Sequence, residues 1–286
     1  MAVYDKLIAE LCGQYSKAEI IENCRALNQT YNVYDPNFIQ WQKLRGTFEK
    51  SNDILSQLEK IVPANQIIND LFMQNYQCER IIKYFLLKQL MNLKENIVAF
   101  EMSIGPSRID ICRINGHTYA YEIKTEYDTF NRLHTQLPSY QQAFDYVYIV
   151  TPLKRAKILK DMVPLNCGLI AYTIRNNTCK FSYLKKAERN KCDLSFCLQS
   201  CSSQELSFFI KHLSKHEIPT LREEKEKLAF ALSTKKGAWK AYRDILKKRY
   251  SKKWQFIVQN RDQILPIDMQ EFFSSLVSPD DIYKSS

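Results

Sequence analysis

The chain has 286 residues, with 41 Lys and Arg against 31 Asp and Glu, which gives a formal net charge of +10. Apolar residues make up 45% and charged residues 25%, a composition that is typical of globular proteins and argues against a disordered chain. The positive excess favours a polyanionic partner such as nucleic acid or an anionic surface. The glycines form none of the motifs of dinucleotide-binding dehydrogenases, P-loop NTPases or nucleophile-elbow hydrolases, which makes those classes poor candidates.

The compartment is predicted from three patterns. Asp5 and Lys6 stand where a signal peptide needs apolar residues, and no run approaches the roughly 20 apolar residues of a spanning helix. Nine cysteines, an odd number spread over core-like positions, are typical of reduced thiols. We therefore expect a cytoplasmic protein with no membrane partner.

Three regions follow one another in the pattern of apolar residues. Residues 1–62 are predicted to be helical, 63–185 to form an α/β core, and 186–286 to be a helical basic region. The core begins with a long helix over 67–93. Six strands are then expected at 97–101, 108–113, 117–124, 146–151, 168–173 and 178–184, with helices at 129–144 and 154–162. Strands alternating with helices predict the α/β class, a mixed sheet flanked by helices with helical N- and C-terminal extensions.

The second and third strands form a hairpin that carries three charged side chains. Period-two alternation places Glu122 and Lys124 on one face of the third strand. A three-residue loop ending at Gly116 would bring Asp110 onto that face, opposite Ala120, whereas a two-residue turn would turn it away. Coincidence of the apolar faces favours the three-residue loop, in which residue 113 pairs with residue 117.

Two carboxylates on one sheet face repel each other unless a cation lies between them. Oxygen ligands with few neighbouring His or Cys residues favour Mg²⁺ or Mn²⁺ over Zn²⁺. Lys124 would then lie where it can hold a water or offset charge on a transition state. The alternative is an ordinary surface hairpin in which Glu122 and Lys124 form a solvated pair.

Residues 78–152 resemble the PD-(D/E)XK nuclease superfamily, the restriction-endonuclease-like fold, and especially its small bacterial RecB-like members. The similar segments are a helix with a Glu, S-R-I-D, N-G, Y-E-I-K, Q-L-P-S-Y and the strand Y-V-Y-I-V. The resemblance implies that 63–185 is a nuclease-like core that hydrolyses DNA with Mg²⁺ or Mn²⁺, in DNA repair or anti-phage defence. It also implies metal ligands at Asp110, Glu122, the Ile123 carbonyl and Glu79, and a catalytic lysine at Lys124.

Two features of the helix after the hairpin also belong to the resemblance. Gln136-x-x-x-Tyr140 is similar to the Q-x-x-x-Y motif of RecB-like members, where it lies near DNA, but Pro138 between them is expected to disturb the helix. Arg132 is expected either to contact a phosphate or to pair with Asp128 four residues earlier. For Glu79 the alternative is a plain polar position beside the apolar stripe of its helix.

Most of the excess positive charge lies in residues 235–254. In helical projection a basic stripe suited to phosphate contacts lies beside an aromatic edge; the stripe consists of Lys236, Lys240, Arg243 and Lys247. The alternative is a solvated helix that packs by its aromatic edge. The expected partner is DNA, with RNA left open, and the N-terminal helices are a candidate site for a protein partner.

A cysteine and histidine group near residue 200 is weighed as a metal site. Cys197, Cys201, His212 and His216 have a spacer that is too short for a zinc finger, so core packing of the thiols is favoured. The function predicted from the sequence is Mg²⁺-dependent deoxyribonuclease. The alternative is a catalytically inactive nuclease fold that binds nucleic acid or protein within a larger defence or repair complex.

Overall fold

The computed structural model describes residues 2–93, 95–215 and 217–283. These residues fall into two compact units, one within the ranges 1–84 and 256–286 and the other within 85–255. The three regions predicted at 1–62, 63–185 and 186–286 stay a prediction. None of the described helices is long and apolar enough to cross a bilayer.

The first unit is helical. Its helices include α1 (Ala2–Gly13), α2 (Lys17–Thr30), α3 (Asn37–Thr47), α4 (Asn52–Leu58) and α5 (Ala64–Asn75). Ser16 and Glu19 form a capping box at the start of α2, and the side chains of Ile20, Cys24 and Leu27 are buried at helical spacing. This unit therefore has an apolar core made by one face of each helix.

The long helix predicted over 67–93 is wrong, because the chain forms two helices there. The first, α5, ends at Asn75, and the second, α6 (Glu79–Met91), begins four residues later. Tyr76 is extended (φ −131°, ψ 95°), and both Tyr76 and Cys78 are buried. The apolar spacing continues through the break because the side chains between the helices also pack inward. Periodicity alone cannot separate two helices under that condition.

A six-stranded mixed sheet lies in the second unit and follows chain order from β1 to β6. Its strands are β1 (Ile97–Ile104), β2 (Ser107–Asn115), β3 (His117–Ile123), β4 (Tyr146–Pro152), β5 (Gly168–Arg175) and β6 (Thr178–Lys185). The first three strands are antiparallel, β3, β4 and β5 are parallel, and β6 is antiparallel to β5. The predicted α/β class, with a mixed sheet and flanking helices, is confirmed.

The register predicted for the hairpin of β2 and β3 is wrong. Arg113 pairs with Tyr119 and Asn115 with His117, so the chain reverses around Gly116. Gly116 has φ +66°, a left-handed conformation that glycine adopts without a steric penalty. Pairing therefore continues up to the turn, and the two strands are shifted by two residues from the expected alignment. A shift of two keeps each side chain on its predicted face.

Six helices follow or interrupt the strands. They are α7 (Leu133–Ala143), α8 (Leu153–Met162), α9 (Leu194–Leu198), α10 (Ser203–Leu213), α11 (Arg222–Leu232) and α12 (Ala238–Asn260). Ser202 and Glu205 form a capping box at the start of α10. The first unit ends with α13 (Met269–Ser275) and α14 (Pro279–Ile282).

Candidate active site

Three carboxylates lie in one row across β1, β2 and β3. Glu101 lies opposite Asp110, between the paired residues Phe100–Ile111 and Met102–Ile109. Asp110 lies one residue before Ile111, which pairs with Tyr121, so continuation of that register places Asp110 opposite Glu122. Opposite residues of antiparallel strands share a face, so all three side chains project from the same side of the sheet.

Glu101 and Asp110 are close neighbours. A carboxylate oxygen of one lies within 4.8 Å of a carboxylate oxygen of the other. Asp110 also accepts a hydrogen bond from the backbone N–H of Ile123 at 2.6 Å, which fixes its carboxylate beside β3. Two half-buried carboxylates at this separation repel each other, and the free-energy cost falls when a cation lies beside them.

Glu101 was not predicted from the sequence. It has φ +51°, an uncommon conformation for a residue other than glycine, and it interrupts the regular pairing of β1 with β2. Its carboxylate forms an ion pair with Nε of Arg108 at 2.5 Å, but the Arg108 side chain is 67% exposed. The available signal was a single acidic residue within the otherwise apolar run V-A-F-E-M.

Glu122 is buried and held by two partners. Its Oε1 accepts from Nζ of Lys124 at 2.6 Å, and its Oε2 accepts from the hydroxyl of Tyr140 at 3.0 Å. Only 3% of the Glu122 side chain and 12% of the Lys124 side chain are exposed. The predicted placement of Glu122 and Lys124 on one face is thus observed, and the solvated surface pair is not.

Tyr140 joins α7 to the carboxylate row. Its buried hydroxyl lies 2.7 Å from the carbonyl oxygen of Arg108, which is a second acceptor for the same proton. Burial and then the charge of Glu122 raise the pKa of Tyr140 above its usual range. The hydroxyl therefore stays protonated and serves as a donor to Glu122.

Gln136 and Tyr140 share one face of α7, contrary to the expected effect of Pro138. Nε2 of Gln136 donates to the Tyr140 hydroxyl at 3.3 Å, and its Oε1 lies 3.5 Å from Nζ of Lys124. Pro138 lies inside the helix without ending it. The structure therefore brings together Asp110, Glu122, Lys124, Gln136 and Tyr140.

Three further residues predicted for this site, Ile123, Arg132 and Glu79, have contacts of their own. The backbone N–H of Ile123 binds Asp110, and β3 ends there. Arg132 is exposed before the first turn of α7, and the carboxylate of Asp128 accepts from the backbone and hydroxyl of Thr125. Glu79 is the first residue of α6, and its carboxylate pairs with Nζ of Lys83 at 2.5 Å.

The predicted basic stripe is only partly helical, because Lys236 lies in the turn before α12 while Lys240, Arg243 and Lys247 lie on that helix. Lys236 and Lys240 are exposed, whereas Arg243 and Lys247 are half-buried. Arg249, a member of the same basic segment, instead forms a two-pronged ion pair with Glu205 at 2.7 and 2.8 Å. The first two lysines are thus the most accessible members of the stripe for phosphate contacts.

The cysteine and histidine group is not gathered into one site among the described residues. The Cys197 thiol is buried against the carbonyl of Ala143, and Cys201 is buried beside Arg249. Burial raises the pKa of the Cys201 thiol to about 11, which opposes the thiolate that a metal would need. His212 is exposed and stacked on Phe208, and His216 lies outside the described residues.

The fold and the site together define an α/β protein with a mixed sheet that carries a row of three carboxylates. Residues 72–272 match the model of the family described as bacteriophage P4 protein cII, and the chain belongs to this family. It is 29% identical over 79 residues to protein cII of Enterobacteria phage P4. That match covers 28% of this chain and only 30% of the relative's length.

One solved structure, a protein of unknown function from Silicibacter pomeroyi, is similar over part of the chain. The identity is 13% and the TM-score 0.31, and the alignment covers 41% of this chain and 74% of that protein. A similarity of this size supports no inference about function.

Proposed function

We propose that the chain is a metal-dependent nuclease that hydrolyses phosphodiester bonds of DNA. The observation that supports this proposal is the row of Glu101, Asp110 and Glu122 on one sheet face, with Lys124 two residues beyond Glu122. Three carboxylates and one ammonium group give the site a formal charge of −2 before Arg108 is counted. Such a site favours a divalent cation with oxygen ligands.

The finer fold assignment is part of the proposal. The order α6, β1, β2, β3, α7, β4 agrees with the order of segments that the resemblance to the PD-(D/E)XK superfamily rests on. The parallel pairing of β3 with β4 places the ends of these strands beside each other at Lys124, whose N–H donates to the carbonyl of Val150 at 2.8 Å. We therefore propose a restriction-endonuclease-like core.

The residues fit a hard divalent cation. Glu101 and Asp110 would hold Mg²⁺ or Mn²⁺ with their paired oxygens, and Glu122 would contribute a third carboxylate. When bound, the metal would supply charge stabilisation and an activated water. Glu79 and the carbonyl of Ile123 stay predictions as further ligands.

The protein's own groups orient the site. Tyr140 holds Glu122 from the helix side, and Gln136 lies within reach of both the Tyr140 hydroxyl and Lys124. Lys124 is nearly buried, so its charge is poorly screened and acts strongly on a phosphate oxygen brought beside it. We assign Lys124 to holding the attacking water and offsetting negative charge on the reacting phosphate.

DNA is the proposed substrate because exposed lysines, including Lys236 and Lys240, supply phosphate contacts that do not depend on sequence. RNA stays an open alternative. A protein partner at the N-terminal helices, a cytoplasmic location, and a role in repair or anti-phage defence stay predictions.

A second candidate function is favoured by the state of Glu122. Both of its carboxylate oxygens already have partners, Lys124 and Tyr140, and a site stabilised by its own ion pair has less need of a metal. The second candidate is therefore a catalytically silent nuclease fold that binds nucleic acid or protein in a larger complex.

A cleavage assay separates the two functions. Wild-type protein with Mg²⁺ or Mn²⁺ should cut DNA, and Lys124→Ala should lower the rate by about 100-fold or more, the typical cost of losing one group that stabilises transition-state charge. Asp110→Asn and Glu101→Gln should also lose activity. Asp161→Asn, an exposed change on α8, is the matched control and should cut like the wild type. Equal cutting by wild type and Lys124→Ala would refute the nuclease.

A further inference from the structure

A basic cleft of about 550 Å³ opens at the C-terminal end of α10 in the second unit. Its described lining consists of Lys211, His212, Leu213, Ser214, Lys215 and Lys235. The three lysines and His212 are exposed. Its lining includes no residue of the carboxylate row and none of the four residues of the predicted basic stripe, although Lys235 is the chain neighbour of Lys236.

The charge of the cleft is of one sign. Among the described residues that line it there are three ammonium groups and no carboxylate. Like charges that converge on one concave surface raise the local concentration of anions. The cleft is therefore suited to a ligand with several negative charges, such as the phosphates of a nucleic-acid strand.

An aromatic stack borders the same cleft. The ring of His212 lies on the ring of Phe208 with an interplanar angle of 20° and a centroid distance of 5.9 Å. Nζ of Lys248 lies 5.5 Å from the centroid of Phe208. The His212 residue is exposed, so its ring is a candidate platform for a planar group.

We propose that this cleft binds a single-stranded segment of nucleic acid. Lys211, Lys215 and Lys235 contact successive phosphates, and one unpaired base stacks on the exposed ring of His212. Cationic grooves beside aromatic rings bind single strands in this way, whereas the bases of a duplex are stacked on one another and offer no free face. This binding site extends the proposed nuclease and does not depend on cleavage.

Binding of a fluorescent 20-nucleotide thymidine oligomer, measured by anisotropy in EDTA, tests the proposal. The double variant Lys211→Ala, Lys215→Ala should bind about 25-fold more weakly at 0.1 M salt. Each phosphate contact on a single strand contributes about 0.7 to the slope of the logarithm of the binding constant against the logarithm of the salt concentration. Two lost contacts lower this slope by about 1.4, which is a factor of about 25 between 1 M and 0.1 M salt. His212→Ala should bind about 5- to 150-fold more weakly, the usual range for one base stack. The control Lys157→Ala, Lys160→Ala removes the same charge from α8 and should change binding little.

The contrary outcomes are distinct. Wild-type affinity in the Lys211 and Lys215 double variant, an equal loss in the control, or no effect of His212→Ala would overturn the proposal. Equal affinity for a 20-base-pair duplex would overturn its single-strand part, and displacement by polyglutamate at equal charge would assign the cleft to an acidic protein instead. Because binding is measured in EDTA, it is independent of cleavage. If the wild type binds the oligomer in EDTA but does not cut DNA when Mg²⁺ or Mn²⁺ is added, the nuclease proposal is refuted and this inference stands.

Discussion

The clearest test of the physical reasoning lies at Asp268 in the first unit. This side chain is completely buried, and its carboxylate accepts from the hydroxyl of Tyr31 at 2.9 Å and from that of Tyr283 at 2.7 Å. Burial raises the pKa of Asp268 to about 7, with a further rise from the charge of Glu271, while the two hydroxyl donors and Arg80 lower it. Asp268→Asn removes the titration and keeps the shape of the side chain.

The size of the effect follows from linkage between proton binding and folding. An Asp side chain in the unfolded chain has a pKa of roughly 3.9. Between about pH 3.9 and pH 7 the folded state therefore binds a proton that the unfolded state does not. The stabilisation from protonated Asp268 is therefore present at low pH and is lost as the pH rises to 7. Between pH 5 and pH 8 the wild type should lose about 2.6 kcal/mol of unfolding free energy relative to Asp268→Asn.

Equilibrium urea unfolding at pH 5, 6, 7 and 8, at one ionic strength, measures this difference. Asp53→Asn, an exposed change on α4 in the same unit, is the control and should leave the pH dependence of the wild type unchanged. If the wild type and Asp268→Asn lose stability in parallel between pH 5 and pH 8, the reasoning about Asp268 is refuted.

Three further predictions concern single substitutions. Tyr140→Phe should lower the unfolding free energy by about 1.5–3 kcal/mol, because the buried carboxylate of Glu122 loses a hydroxyl donor. A melting temperature equal to that of the wild type would contradict this. Gly168→Ala should cost about 1–3 kcal/mol, since a Cβ there would overlap the ring of Tyr148, and thermal unfolding measures it. Gly46→Ala meets nothing within 4 Å in its helix and should instead add up to about 1 kcal/mol, so destabilisation there would be the contrary result.

Much of the sheet can be predicted from the sequence because its strands are bounded by turns and alternate cleanly. All six strands were expected near their observed places, and Glu122 and Lys124 lie on one face as the alternation implies. The register of the hairpin could not be predicted, because it depends on how sharply Gly116 reverses the chain. Hydrophobic alternation is equally satisfied by alignments that differ by two residues.

The candidate site could be predicted only in part, because it too depends on how the strands pair. Glu101 joins the row through the pairing of β1 with β2, where its left-handed conformation interrupts the regular ladder. Neither a motif nor a local propensity marks such a position. Pro138 is expected to disturb the helix between Gln136 and Tyr140, but α7 continues through it and the two side chains are hydrogen-bonded.

The central claim is that the carboxylate row is a divalent-metal site, and Mn²⁺ binding measured by electron paramagnetic resonance tests it most directly. The account predicts that the wild type and the control Asp161→Asn bind Mn²⁺ in competition with Mg²⁺, and that Asp110→Asn and Glu101→Gln lose this binding. Equal Mn²⁺ binding by the wild type and Asp110→Asn, or no binding by the wild type, would contradict it.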